Sequence, residues 1–187
     1  MSEPNILVFA GSVRTGSLNE QLAAYAARAL RALGAKVTHI SLKDYPLPLY
    51  DGDLEAHEGP PENASKLRDL FAAHQGIFIA GPEYNAGITP LTKNTLDWVS
   101  RVDIGVFRAR AFALGAASEG RLGGYRSLMA TRQVLELGVG ALVQPEMVSV
   151  AQASKAYDAN GDLAEPGRKA AERAFAALLA NAGRYVP

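Results

Sequence analysis

The most constraining feature of this chain is an alternation. Five short apolar runs, mostly lacking the in-and-out pattern of a half-exposed strand, are separated by helical patterns. A strand covered on both faces needs no polar side, so such runs mark the interior of a parallel sheet, and the segments between them are the crossovers that cover it. Strands are expected at residues 5–10, 36–41, 76–81, 109–116 and 146–150, and helices at about 17–33, 64–74, 89–101, 122–138 and 164–183. This is an α/β chain with a doubly wound five-stranded parallel sheet in three α/β/α layers. In the strand order 2-1-3-4-5, ligands sit outside the carboxyl ends of strands 1 and 3 and their neighbour 4. Those ends are Gly11 onward, Gly81 onward and Ala117 onward. With 187 residues, 48% of them hydrophobic, one domain spanning 1–187 with a substantial core is expected.

The first of these ends carries the strongest signal. Strand Ile6-Leu7-Val8-Phe9 runs into Gly11, and Ser17 or Asn19 is placed to cap the helix bearing Leu22, Tyr25, Ala26 and Leu30. The first helical amides lack partners and the positive end of the helix dipole faces the loop, which suits an anion. Ser12, Ser17 and Asn19 add directed donors, and the fork of Arg14 can bind phosphate oxygens bidentately. Gly-x4-Gly-Lys-Ser/Thr is absent here, which argues against a nucleoside triphosphatase. Gly11 and Gly16 do not make Gly-x-Gly-x-x-Gly, which argues against a dinucleotide turn. A single phosphate is the better match; the alternative is a capped turn that binds nothing.

The second loop, residues 81–98, is stiffened by Pro82 and Pro90, and Gly87 lets backbone approach a flat ligand. Amides near Asn85 and Ala86 can meet a heteroaromatic edge, and Tyr84 offers a planar wall with a polar tip. The third loop, 116–127, holds Gly120, Gly123 and Gly124, which permit unusual dihedrals and close backbone contact.

Composition narrows the chemistry. Nineteen basic residues balance nineteen acidic ones, which disfavours nucleic acid and anionic membrane as partners. The absence of cysteine removes disulfides, thiolate catalysis and iron–sulfur ligation, so redox chemistry would need an organic cofactor. His39, His57 and His74 are scattered without metal-ligand spacing, and no metal is expected. No apolar run reaches membrane-spanning length and the first residues lack a cleavable leader pattern, so a cytoplasmic location is expected. The stretch from Lys43 to Glu62, with Pro46, Pro48, Pro60 and Pro61, reads as a long irregular loop. Its acidic set Asp51, Asp53, Glu55 and Glu58 reads as a solvated face.

Taken together, GSVRTGSLN, GPEYNAGITPLTKNTLDW and SEGRLGG make the chain resemble the NADPH-dependent FMN reductase family, the flavodoxin-like quinone, chromate and azo-dye reductases. Gly11, Ser12, Arg14, Ser17 and Asn19 match its first motif, and Pro82, Glu83, Tyr84 and Asn85 its second. Lys93, Asn94, Asp97 and Trp98 match its Lys-Asn-x-x-Asp-Trp tail, and the stretch beginning at Pro46 matches its long loop. Thr92 departs from the apolar residue common before Lys-Asn.

The resemblance implies a non-covalent FMN, with its phosphate in the first loop and its ring edge on the second and third. Gly11, Ser12, Arg14, Ser17, Asn19, Pro82, Glu83, Tyr84, Asn85, Ser118, Gly120, Gly123 and Gly124 are the expected cofactor-binding residues. NADPH or NADH would reduce the flavin, and a small-molecule electron acceptor such as a quinone, flavin, azo dye, or metal oxyanion or chelate would reoxidise it in a ping-pong cycle. No side chain is expected to act as acid or base, because the flavin carries the chemistry. The resemblance further implies a homodimer or homotetramer, with Tyr84, Trp98 and the loop at Tyr50 facing a partner chain. An electron-carrier flavodoxin is the competing reading; balanced charge and Arg14 count against it.

Overall fold

The computed structural model describes residues 3–186. Five parallel strands form one sheet in the order β2-β1-β3-β6-β7: β1 Asn5–Ala10, β2 Lys36–Ile40, β3 Gly76–Ala80, β6 Ala111–Ala117 and β7 Leu142–Val150. This is the expected order, with numbers 4 and 5 taken by a small antiparallel hairpin, β4 Glu83–Tyr84 and β5 Gly87–Ile88. Successive strand residues point to opposite faces, and here both faces are apolar. Ile6, Val8, Ala10 and Phe78 pack beneath α1 (Leu18–Ala32) and α6 (Gly167–Ala182). Leu7, Phe9, Ile77 and Phe112 pack on the opposite side, beneath α3 (Glu62–Ala73), α4 (Pro90–Asp103) and α5 (Tyr125–Gln133).

Three expectations need correction. Residues 43–62 are not one irregular loop, because α2 spans Gly52–Glu58. Asp51 caps it, its carboxylate accepting from Asp53 N at 2.8 Å, and Gly59 ends it at φ 76°. The four prolines all fall outside α2, which is why they do not forbid it. Strand β7 begins at Leu142, ahead of Pro145, because its pairing with β6 shifts register between Phe112 and Leu114. A bulge on an edge strand tolerates a residue without an amide proton.

Trp98 does not face a partner chain. Its side chain is fully buried within this chain, and its Nε1 donates to Pro48 O at 2.8 Å. Asn94 Nδ2 donates to the same carbonyl at 2.8 Å, and Asn94 Oδ1 accepts from Tyr50 N at 2.8 Å. The Tyr50 ring stands edge-on to Trp98 with centroids 5.1 Å apart, and its hydroxyl donates to Glu55. Arg101 Nε donates to both Glu55 oxygens, which holds that carboxyl below its ordinary range. Residues 94, 98 and 101 of α4 therefore strap the 46–55 segment across the helix, and Glu55 is a helix residue held in an ion pair rather than part of a solvated loop face.

Candidate functional site

Three loops leave the carboxyl edge of the sheet side by side. The first turns at Gly11, whose amide donates to Ala80 O at 2.9 Å. A Cβ at this position would lie 1.9 Å from Thr92 Oγ1, so glycine is required by close approach rather than by dihedral freedom. Ser17 is the N-cap of α1, and its Oγ accepts from Asn19 N at 3.3 Å and Glu20 N at 3.4 Å. The amide of Leu18, the first residue of the helix, has no place in the helical ladder. Arg14 lies exposed beside this helix end and forms no ion pair among the described residues.

The second loop is the β4–β5 hairpin followed by α4. Asn85 (φ 49°) and Ala86 (φ 66°) make its two-residue turn, in which both residues are left-handed. Thr89 caps α4: its Oγ1 accepts from Thr92 N at 3.3 Å, lies 2.8 Å from Thr92 Oγ1, and donates to Gly11 O at 3.0 Å. The third loop passes Ser118 and Glu119 and returns through Gly123 (φ 56°) and Gly124 (φ 81°) into α5. Ser118 Oγ accepts from Gly120 N, and the Glu119 carboxylate accepts from both Ser154 N and Ser154 Oγ.

Each pair of loops is cross-tied by side chains. Thr89 joins the second to the first. Asn19 joins the first to the third: its Nδ2 donates to Ala117 O and its Oδ1 accepts from Ala117 N, both at 2.9 Å. Ser127 Oγ donates to Pro82 O at 2.8 Å, joining the third to the second, and the Glu83 carboxylate accepts from Arg126. Thr89, Asn19 and Ser127 are all buried.

A cleft of about 170 Å³ opens between the loops. Ser12, Arg14, Ser17 and Asn19 line it from the first loop, Pro82, Glu83 and Tyr84 from the second, and Ser118 from the third. Asn85 and Gly120 are exposed on the loops beyond it. Gly123 and Gly124 are buried and do not line it. A Cβ on Gly124 would come within 2.6 Å of Ala116 Cβ, and one on Gly123 within 2.5 Å of Ser149 Oγ, so packing against the sheet already demands both glycines. Gly11 lines a neighbouring cavity of about 350 Å³ with Val13, Pro90 and Leu91, which shares Ser12, Arg14 and Tyr84 with the first. Leu18 and Glu119 also line the cleft and were not singled out in the sequence; Leu18 follows directly from the position of the N-cap.

The model of NADPH-dependent FMN reductases matches residues 4–155. The chain belongs to that family. It is an NAD(P)H oxidoreductase with FMN as its cofactor. It is 34% identical over 159 residues to the NAD(P)H-dependent FMN reductase of Pseudomonas aeruginosa, covering 84% of this chain and 83% of that one. It is 31% identical over 174 residues to the NAD(P)H:quinone oxidoreductase of Solanum tuberosum, covering 91% and 87%. Among solved structures it superposes on FerB, a flavoenzyme NAD(P)H:(acceptor) oxidoreductase from Paracoccus denitrificans. There the TM-score is 0.79 at 26% identity, over 97% of this chain and 98% of that one. The donor set suits the family's cofactor: a guanidinium without an ion pair among the described residues, two serines and a helix N-terminus fit a phosphate, and the loop backbone that shares the cleft fits a flat polar ring edge.

Proposed function

We propose that this enzyme works as a single FMN-binding domain that passes electrons from NADPH or NADH to a small quinone-like acceptor. The observation that carries the site is the position of Arg14: an exposed cation without a carboxylate partner among the described residues, beside the N-terminus of α1, in the cleft that the other two loops share. Arg14, Ser12 and Ser17 hold the phosphate. Gly11 and Asn19 set the loop that presents them. Pro82, Glu83 and Tyr84 would line the ring end from the second loop and Ser118 from the third, while Asn85 and Gly120 stand outside the cleft and Gly123 and Gly124 shape the third loop by packing on the sheet.

FMN in this cleft supplies hydride acceptance from the nicotinamide and electron delivery to the acceptor. The chain's own part is placement and field, which main-chain amides of the second and third loops would supply to the ring edge. Glu83 is already engaged by Arg126, whose guanidinium holds its carboxyl below the ordinary range, so it is a poor proton shuttle near neutral pH.

The sequence has one such phosphate cradle and no dinucleotide fingerprint, so nicotinamide and acceptor use the same place in turn. Double-reciprocal plots against NAD(P)H at several quinone concentrations are expected to be parallel, and anaerobic NAD(P)H alone should bleach the bound flavin. Intersecting lines with no bleaching before acceptor is added would overturn the shared site. A flavodoxin-type carrier would show neither steady NAD(P)H oxidation nor bleaching.

Val13, Leu49 and Tyr84 are 48%, 78% and 53% exposed around the cleft and strap, an apolar set that a second copy of the chain would cover. A homodimer or homotetramer is therefore expected by light scattering at micromolar concentration. A fully active monomer would refute it. No helix of the described residues is long and apolar enough to cross a membrane. Balanced charge and a sequence without cysteine support a cytoplasmic enzyme acting on a small molecule.

A further inference from the structure

We infer that Glu83 is a positioning residue that acts on the flavin site through α5, by serving as the N-terminal cap which that helix cannot supply for itself. The N-cap position of α5 is Gly124, with φ 81° and no side-chain capping bond. No larger residue fits there, because a Cβ would come within 2.6 Å of Ala116 Cβ. The helix therefore begins without the Ser, Thr, Asp or Asn that usually satisfies its first amides.

Glu83 takes that role from 43 residues away in sequence. Its Oε2 accepts from Arg126 N at 3.1 Å and its Oε1 from Arg126 Nε at 2.7 Å, with Arg126 Nη2 also on Oε1. A carboxylate at this end also complements the helix dipole. The Glu83 side chain is only 9% exposed and the Arg126 side chain 55%, so the acid sits inside the joint and the base covers it. Ser127 Oγ donates to Pro82 O in the adjoining turn. The start of α5, and with it the end of the third loop, is thus fastened to the first residues of the second loop. Through this joint Glu83 sets the spacing between the two walls that hold the ring end of the cleft.

The inference rests on the flavin reading above, and its test separates the two. Alanine at Glu83 removes the cap and the ion pair together, and FMN and riboflavin should both bind about five- to tenfold more weakly, leaving their ratio unchanged. A phosphate-end defect would instead alter that ratio. Glu83→Gln keeps an acceptor oxygen for Arg126 and should restore most of the loss, and Arg126→Ala should fall between the two. Hydrogen exchange of the flavin-free protein should speed up at residues 118–128 in Glu83→Ala and stay unchanged in the first loop.

Unchanged exchange at 118–128 in Glu83→Ala would overturn the inference, as would weaker flavin binding in Glu83→Ala with none in Arg126→Ala, which would mark a direct contact. Should Glu83→Ala fail to fold, Glu83→Gln and Arg126→Ala carry the same comparison. A wild-type protein that binds neither flavin would defeat the functional reading, and the exchange result would still decide the role of Glu83.

Discussion

Replacing Arg14 by alanine should weaken FMN binding by at least about tenfold while leaving riboflavin binding within about twofold of wild type. Arg14 is the one residue of the first motif whose charged head is left without a carboxylate among the described residues, and it stands where the amides of α1 begin. A phosphate there would gain a charge-assisted, two-pronged contact. Such bonds contribute about 1.5–3 kcal/mol, and the exposure of Arg14 places this one toward the lower end. Riboflavin lacks the phosphate and should not register the change. The control is Arg101→Ala, which loses the bond to Glu55 on the strap and lies outside the cleft. Fluorescence titration of the flavin-free protein with both flavins reads the effect. Equal losses for FMN and riboflavin would move the phosphate elsewhere, and no loss would remove Arg14 from the site.

The second large effect is expected from Gly11→Ala. The added methyl would stand 1.9 Å from Thr92 Oγ1 and 3.2 Å from Thr92 Cβ, in a place where Thr92 is fully buried. Overpacking of this kind costs about 1–3 kcal/mol, and a contact so short lies at the upper end. The displaced loop would also carry away the Gly11 carbonyl that Thr89 holds. Thr92→Ala removes the obstructing hydroxyl at a cost of its own, so the double variant should be more stable than the sum of the two single losses by about 1 kcal/mol or more. Denaturant unfolding of the four proteins measures this coupling. Strict additivity would show that Gly11 and Thr92 do not oppose each other.

The sheet was legible because doubly covered parallel strands leave apolar runs that need no knowledge of their neighbours. Helix α2 is harder to read because it is short and buries no residue, so it leaves no apolar periodicity, and only the Asp51 cap and the Gly59 stop mark its ends among the flanking prolines. The β4–β5 hairpin escaped for a related reason. Asn-Gly is the strong signal for a turn of two left-handed residues, and this chain has Ala86 in the second place. Within the site, the motifs located the loops but not the partners of individual side chains. Asn19 directs its amide group to Ala117, and Glu83 directs its carboxylate to the start of α5. Both ties span long sequence separations that no local pattern encodes. Thr92 stood out as a departure from the family motif, and only the three-dimensional arrangement ties it to Gly11 and Thr89.

The cross-ties have a consequence for how such an enzyme can change over generations. Thr89, Asn19 and Ser127, which brace the loops, are buried, whereas Tyr84, Leu122, Tyr125 and Met129 of the second loop, third loop and α5 are 44–55% exposed. Surface substitutions away from buried networks usually alter stability little. Of these exposed residues Tyr84 lines the cleft, and it is separate from the buried groups that keep the cradle in shape. Substitution at Tyr84, which both cavities share, can reshape the cleft while the folding reserve of the domain stays largely intact.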